Sequence, residues 1–373
     1  LTCLTPLLVG DGHKLSPIDY MVWKDQVNVL DQRRIFRLLA KGPRLESYLT
    51  QLKRADKLDF ASWGGFAQNF ADRRIAFEHP SLTTYWERAK GDSLQIPTFI
   101  SSPDGPYLPG SALKGALRTG MLFAHWKGSL PQSNGRFQRP GEAAEEQALG
   151  APGSSLMRAF GTGDSQPVST GVMKLYLLRA STLQARGPEH YELGWKQAPR
   201  GTVDNRHIED STPLFAEMAS PGTTFEGVWR ENQYLAQPEV LKALRWREPV
   251  TSADVFRNAN KYAAELLGIQ RQYAVWAGLP FVEKSISDLE GRLNAVRDGG
   301  TACLVSLGWG SGLLAKTPWL DTKSESYRQA LSEIPLYSSA IRSGLPFPKT
   351  RRIVFLGNQA ATLPGWALLE LTD

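Results

Sequence analysis

The sequence contains little cysteine and no long apolar run, and both absences exclude classes of protein. Its 373 residues include two cysteines, Cys3 and Cys303, which are 300 positions apart. Such a pair builds neither a disulfide scaffold nor a cysteine zinc site. No stretch approaches the roughly 18 apolar residues of a membrane span, and the amino end lacks a signal-peptide pattern. We therefore expect a cytoplasmic protein. Because Leu1 falls inside a strand-like run, we also expect that leading residues are absent from the chain.

Histidine is also scarce, and its five positions form no metal-binding pattern. No H-E-x-x-H sequence occurs, no two histidines have the spacing of ligands on one helix, and the G-x-S-x-G sequence of serine hydrolases is absent. Metal-dependent RNA cleavage would need clustered carboxylates such as Asp11, Asp19 and Asp25, yet single aspartates at turns usually cap those turns. We predict neither a metal nor a cofactor.

What the chain does contain predicts a folded, loop-rich, mildly basic protein. Apolar residues make up 42%, and 34 glycines and 24 prolines exceed the usual share. The length predicts two structural units or one core with large insertions. The net charge is +6, and 27 of the 43 basic residues are arginine, whose head group suits phosphate contacts and base stacking. A polyanionic partner and a merely basic protein both remain open.

Strands and helices alternate along the sequence at long range. We predict a first strand over residues 1–9, a hairpin over 20–30, a helix capped by Asp31, helical and irregular structure over 58–95, a strand over 172–179, helices over 235–298, a buried strand over 301–307 and two last strands around 351–356 and 366–371. Residues 128–155, rich in glycine, proline and serine, are predicted to form an exposed, mobile insertion. This order favours an α+β fold with a βαββαβ ferredoxin-like core, possibly doubled.

A helix start near residue 110 has the features of an anion site. In YLPGSALKGALRTG, residues 107–120, Leu113 and Leu117 recur at helical spacing, and Ser111 is predicted to cap the first turn. Free amides and the helix dipole favour an anion at this end. The predicted phosphate-binding residues here are Gly110, Ser111, Lys114, Gly115 and Arg118.

Two glycine-rich loops could let a phosphate backbone approach closely. The loop at 308–317 fails the Walker A pattern, because Ala315 precedes Lys316, and its glycine spacing does not match a dinucleotide-binding fold. Without such catalysis, exposed amides still suit a phosphate backbone, and Trp309 could stack on a base. The candidate RNA-binding residues of the two loops are Gly10, Gly12, His13, Gly308, Trp309, Gly310, Ser311, Gly312 and Lys316.

Together these motifs resemble the RAMP superfamily of CRISPR-associated proteins. Within it they are most similar to the family of fifth Csm subunits of type III-A effector complexes. The stretches that carry the resemblance are LTPLLVGDG, SPIDYMVW, YLPGSALKGALRTG, FGTGDSQ, LFAEMASPGTTFEG, GWGSGLLAKT, FPKTRRIVFLG and LPGWALLEL.

The resemblance implies a non-catalytic crRNA-binding subunit with a ferredoxin-like (RRM-type) core. Such a subunit caps the backbone filament at the 3′ end of the crRNA and contributes to target RNA binding and crRNA maturation. Its partners would be crRNA, target RNA, neighbouring backbone RAMP and small helical subunits, and host nucleases that trim the guide. The implied parts are 1–180, with insertions at 32–95 and 128–155, and 181–373, with a thumb-like arm, a helical insertion at 232–298 and a second RRM-like half.

The resemblance also adds candidate RNA-binding residues outside the loops. Arg200, Arg206 and His207 match the arm that displaces bases in backbone RAMP proteins. Lys349, Arg351 and Arg352 are further candidates, for which a solvated surface is an equal explanation. Two other functions stay open: a RAMP endoribonuclease that processes precursor crRNA with His13 as general base, and another backbone or purely protein-bridging subunit of a type III complex.

Overall fold

The computed structural model of the chain describes residues 1–40, 42, 44–54, 57–58, 69–131, 140–187, 190–197, 204–205 and 207–372. Its strands are β1 Thr2–Cys3, β2 Lys14–Leu15, β3 Tyr20–Trp23, β4 Gln26–Leu30, β5 Ala71–Phe77, β6 Ile96–Pro97, β7 Ser101–Ser102, β8 Gly105–Pro106, β9 Phe160–Thr162, β10 Met173–Gly187, β11 His190–Lys196, β12 Asp204–Asn205, β13 Leu214–Ala219, β14 Trp229–Glu231, β15 Ala302–Ser306, β16 Thr350–Leu356, β17 Gln359–Thr362 and β18 Trp366–Glu370. Its helices are α1 Gln32–Leu39, α2 Leu45–Arg54, α3 Leu82–Arg88, α4 Gly110–Trp126, α5 Pro140–Leu149, α6 Pro238–Leu244, α7 Ser252–Trp276, α8 Pro280–Val296, α9 Glu325–Ser332 and α10 Pro335–Arg342. None of the helices in this part of the chain is long and apolar enough to cross a membrane.

The large sheet is built around β10. At Leu177, β10 pairs with Phe215 of β13 on one edge and with Phe355 of β16 on the other. The second half of β10 forms a long hairpin with β11. The start of β10 pairs in parallel with β5, which continues the sheet to β4 and β3. The predicted boundary between residues 180 and 181 lies within β10, so both predicted parts share this strand, and the division stays a prediction.

A small sheet of β1, β18 and β15 joins the two ends of the chain. Thr2 pairs with Leu368, and Cys303 pairs with Leu369. Every residue of β15 is buried, as expected of a strand with apolar residues on both faces. Strands β15 and β18 confirm the predicted strands at 301–307 and 366–371, and β16 of the large sheet confirms the predicted strand at 351–356.

Two apolar cores lie on opposite faces of the large sheet. Ile353 and Phe355 of β16 belong to one core, whereas Val354 between them belongs to the other, because neighbouring strand residues point to opposite faces. Helix α7 contributes to both cores along its length, and α4 crosses it at Gly120. A Cβ on Gly120 would lie 2.9 Å from Cα of Ala259. These packed sheets and helices confirm the α+β class.

The first predicted hairpin and the cap of the first helix are confirmed. Strands β3 and β4 meet at a tight turn in which Lys24 has a positive φ of 55°. The Asp31 carboxylate accepts the amide hydrogen of Arg34 and caps α1. Ile35 and Leu39 of this helix are buried, whereas Phe36 and Leu38 are 49% and 54% exposed.

Two predictions of irregular structure are wrong in part. The segment 58–95 contains β5, an internal strand of the large sheet, so the predicted insertion at 32–95 includes part of the core. The predicted exposed insertion at 128–155 contains α5, whose Ala144 and Leu149 are buried. Residues 132–139 of that segment lie outside the described residues.

Candidate nucleic-acid interface

The first glycine loop follows an extended segment, residues 7–9, that lies between two neighbouring segments of the chain. Leu7 exchanges backbone hydrogen bonds with Ala219, and Val9 accepts one from Ile100 at 2.9 Å. At Gly10 a Cβ would lie 2.9 Å from the carbonyl oxygen of Thr98, so a larger residue would force the two segments apart. Residues 10–14 beyond this contact are exposed.

His13 closes the exposed turn of that loop. Its amide donates to Oδ1 of Asp11 at 2.9 Å, while Nδ1 lies 3.3 Å from Oγ1 of Thr98. Gly12 has a φ of 93°, a left-handed conformation that side chains rarely adopt. The loop is thus held in shape by its own backbone and by Thr98, and its outer surface is open.

The second glycine loop follows β15 directly. Gly308, Gly310 and Gly312 have φ values of 84°, 89° and 89°, so all three require the left-handed region. Ser311 donates its hydroxyl hydrogen to the carbonyl oxygen of Gly308 at 2.8 Å and closes the turn. A Cβ on Gly312 would have no neighbour within 4 Å, so the tip of this loop is open.

The two glycine loops meet at one carbonyl group, that of Leu8. The amide of Trp309 donates to this oxygen at 2.7 Å, and a Cβ on Gly308 would lie 2.3 Å from it. Only glycine fits at position 308, because any side chain would overlap the first loop. Two segments that are about 300 positions apart in sequence therefore form one surface, which we call the two-loop surface (residues 10–13 and 308–312).

Arg352 adds a positive charge to the two-loop surface. Its guanidinium carbon lies 4.7 Å from the centre of the Trp309 ring, and its Cδ lies within 4 Å of the Cβ position of Gly310. A guanidinium can stack on an aromatic face and still has five N–H donors for phosphate oxygens. Backbone amides, an aromatic ring and a guanidinium thus come together, as a contact to an RNA backbone requires.

Lys316 lies beyond the tip of the second loop, in a short 3-10 helix at Leu314–Lys316. The hydroxyl of Tyr262 in α7 donates to the carbonyl oxygen of Leu314 and anchors this turn. The Lys316 side chain is exposed. A phosphate contact by Lys316 stays a prediction.

Arg351 is not available to RNA at the two-loop surface, and the prediction that it is an RNA contact beside Arg352 is wrong. Its side chain is buried, and NH1 donates to the carbonyl oxygens of Pro348 at 2.6 Å and Thr350 at 2.9 Å. The guanidinium also contacts Gln270 and covers the ring of Tyr273 at 4.4 Å. Burial lowers the pKa of Arg351 to about 10. Arg351 and Arg352 point to opposite faces of β16, because side chains alternate along a strand.

The predicted anion site at the start of α4 already contains a carboxylate. Pro109 is the N-cap, so the prediction that Ser111 caps the helix is wrong. The amide of Gly110 donates to Oδ1 of Asp164 at 2.8 Å. A Cβ on Gly110 would lie 2.3 Å from the carbonyl oxygen of Thr162, so glycine here allows close packing within the protein.

The basic residues of α4 also have partners within the chain. Lys114 donates to the carbonyl oxygen of Phe160 at 2.9 Å, and burial lowers the pKa of its amine. Arg118 forms an exposed ion pair with Glu145 at 3.2 Å. Gly115 has open space at its Cβ position. Phosphate binding by this helix stays a prediction, and it would have to displace these contacts.

We expect Asp164→Ala to lower the free energy of unfolding by about 1 kcal/mol, because loss of a helix-capping carboxylate usually costs that much. Ser111→Ala should leave stability unchanged, since its exposed side chain makes no capping hydrogen bond. Urea denaturation of both variants measures the difference. A larger loss for Ser111→Ala would restore the cap predicted from the sequence.

The predicted arm is described only at its base. Arg200 and Arg206 lie outside the described residues, and His207 is exposed just before a short 3-10 helix at Ile208–Asp210. Arg179 anchors this segment, and no sequence motif identifies it. It is buried in β10 and donates to the carbonyl oxygens of Ile208 at 2.8 Å and Ser211 at 2.6 Å.

The remaining candidates have separate structural roles. Lys349 is half-buried, and its carbonyl oxygen accepts the amide hydrogen of Leu183. Asp19 accepts from Ser16 and Gln32, and Asp25 lies in the hairpin turn. In the described part of the chain, no three histidine, cysteine or carboxylate side chains are grouped as they would be around a metal ion.

Comparisons with known proteins match this chain to one family and to related proteins of similar length. The family model of the RAMP superfamily matches residues 1–274. The chain is 21% identical to "CRISPR system Cms protein Csm5" of Methanocaldococcus jannaschii, over 99% of this chain and 88% of that protein. Among solved structures it is similar to a chain of a Csm–crRNA–target RNA ternary complex of a type III-A CRISPR-Cas system, with a TM-score of 0.69, 20% identity and coverage of 100% and 99%. It is also similar to T. onnurineus Csm5, with a TM-score of 0.64, 19% identity and 99% coverage of both chains. At these identities, the two structures show a shared fold along the whole chain.

Proposed function

This chain belongs to the RAMP superfamily, and from that premise we propose that it is a non-catalytic crRNA-binding subunit of a type III-A Csm complex. In this role it caps the filament of backbone subunits at the 3′ end of the crRNA. It also contributes to target RNA binding and crRNA maturation. Its partners would be the guide, the target, the neighbouring backbone and small subunits, and the nucleases that trim the guide. The proposal is supported by similarity to Csm5 proteins along nearly the full length of the chain.

One observation carries the proposal: the contact of both glycine loops at the Leu8 carbonyl oxygen, beside Arg352. Of the five glycines in the two loops, Gly12 and Gly312 have open space at the Cβ position, so a sugar–phosphate backbone can approach the main chain at both loop tips. Arg352 supplies charge and Trp309 supplies a ring, which together favour single-stranded RNA over a purely protein partner. The Asp11 carboxylate accepts the His13 amide and therefore serves the turn.

We expect the purified protein to bind repeat RNA and to leave it uncut in the absence of metal ions. His13→Ala should also leave the RNA uncut, because the visible role of His13 is to close a turn. Denaturing gel electrophoresis of labelled repeat RNA after incubation measures cleavage. The shifted band of the protein–RNA complex on a native gel measures binding. Cleavage by wild type that disappears in His13→Ala would instead establish the endoribonuclease alternative.

A further inference from the structure

A large cavity whose lining includes no residue of the two-loop surface lies between the carboxyl-terminal half of α7 and the segment that follows α10. Its volume is about 870 Å³, within the range of ligand sites in proteins. Arg351 lines this cavity, whereas Arg352 faces the glycine loops. Because these residues alternate on β16, the cavity and the two-loop surface lie on opposite faces of the large sheet.

One face of α7 forms the floor of the cavity. Glu265, Gly268, Gln272 and Trp276 recur at spacings of three or four residues and therefore lie in one row along the helix. At a rise of about 1.5 Å per residue, the row is about 16 Å long. The cavity is therefore an elongated groove rather than a compact pocket.

Gly268 leaves the middle of this floor open. Glycine is unfavourable inside a helix, and Gly268 lies within the 25 residues of α7. A Cβ at this position would have no neighbour within 4 Å, so packing inside the described chain does not require glycine there. The missing side chain instead gives a bound molecule direct access to the helix backbone.

The two ends of the groove differ in chemistry. At one end the rings of Trp276 and Tyr191 meet edge to face, with their centres 5.1 Å apart. At the other end Lys127 and Lys323 line the groove. Their segments are tied together there, because the carbonyl oxygen of Gly128 accepts the amide hydrogens of Leu320 and Asp321. Arg328 and the buried Arg351 add two further cations along the wall.

We propose that this groove binds a short stretch of single-stranded RNA, with a base at the Trp276–Tyr191 end and phosphates at the lysine end. The proposal rests on the proposed function, since it assumes that the chain binds RNA. Aromatic rings stack on any base, and cations along a groove follow the phosphates. An acidic peptide would use the cations but not the rings. Glu265 and Asp321 would repel peptide carboxylates and RNA phosphates alike, but they can also accept hydrogen bonds from the amino groups of bases, which an acidic peptide lacks.

The test compares Gly268→Leu with Gly291→Leu, a matched change in α8 that is also free of neighbours within 4 Å but lies outside the groove. Fluorescence anisotropy of the full chain with labelled single-stranded RNA should show about tenfold weaker binding for Gly268→Leu, as expected for loss of one stacked base. Gly291→Leu should bind as wild type does. Trp276→Ala should reproduce the loss.

Other results of these binding measurements distinguish failure of the groove proposal from failure of the proposed function. Weaker binding in Arg352→Gln with unchanged binding in Gly268→Leu would overturn the groove proposal and leave the proposed function intact. No RNA binding by wild type would overturn both. Polyglutamate serves as an acidic peptide probe. If Gly268→Leu lost binding to polyglutamate but kept its binding to RNA, the groove would be a peptide site.

Crosslinking of the unaltered protein to 4-thiouridine RNA provides a second readout that does not depend on folding of the variants. Adducts on the peptides that contain Tyr191 or Trp276 are expected. Adducts confined to the two-loop surface would contradict the proposal.

Discussion

Glu217→Ala is expected to lower the free energy of unfolding by about 3 kcal/mol, because removal of one partner from a buried ion pair leaves the other charge uncompensated. Glu217 is fully buried in β13. Both of its carboxylate oxygens accept hydrogen bonds from Arg73 of β5, one of them at 2.9 Å. The same carboxylate accepts the amide hydrogen of Phe99 at 3.2 Å, so the substitution also leaves a backbone donor without its partner.

Glu217→Ala should also disturb the two-loop surface. Phe99 lies between Thr98, which contacts the first glycine loop, and Ile100, which pairs with Val9. Loss of the carboxylate therefore loosens the segment that supports this loop. We expect Glu217→Ala to weaken RNA binding in addition to lowering stability.

Chemical denaturation of Glu217→Ala, with Glu145→Ala as the control, measures this prediction. Glu145 forms an ion pair with Arg118 in which both side chains are more than a third exposed. Such exposed pairs contribute at most about 1 kcal/mol. Equal losses of stability in the two variants would show that burial of the Arg73–Glu217 pair does not matter.

Gly308→Ala is expected to lower the free energy of unfolding by about 3 kcal/mol, through steric overlap and backbone strain, and to separate the two glycine loops. A Cβ at this position would lie 2.3 Å from the carbonyl oxygen of Leu8, so the backbone itself must move. Of this loss, about 1–2 kcal/mol comes from placing a side chain at a φ of 84°. The hydrogen bond from Trp309 to Leu8 would be lost in the same movement.

Gly312→Ala is the matched control, because this residue has a similar φ of 89° but no neighbour within 4 Å of a Cβ. It should cost only the conformational part, about 1–2 kcal/mol. Thermal unfolding separates the two variants, and RNA affinity should fall further in Gly308→Ala. The same loss in both would mean that the close approach to Leu8 contributes nothing.

The fold was predictable where the hydrophobic pattern is strong and local. Strand β15 is an uninterrupted apolar run, and α7 repeats its apolar residues over many turns. Strand β5 was missed because Asp72, Arg73 and Arg74 give it a polar appearance. The half-buried guanidinium of Arg73 is neutralised by Glu217, 144 positions away, and no local pattern contains that information.

The candidate site was predictable as separate pieces. Each glycine loop is visible in the sequence, but their contact between Leu8 and Trp309 depends on the fold. Two adjacent arginines on β16 look equivalent, and only the packing of the sheet shows that Arg351 is buried. The cap of α4 was assigned to Ser111 because capping rules are local, whereas the capping group comes from Asp164 in another segment.

The salt dependence of single-stranded RNA binding by wild type and Arg352→Gln tests the central claim most directly. If Arg352 contacts a phosphate at the two-loop surface, the variant binds more weakly, and the magnitude of its log–log salt slope is smaller by about 0.7. An unchanged affinity and an unchanged slope would contradict the assignment of this surface to RNA.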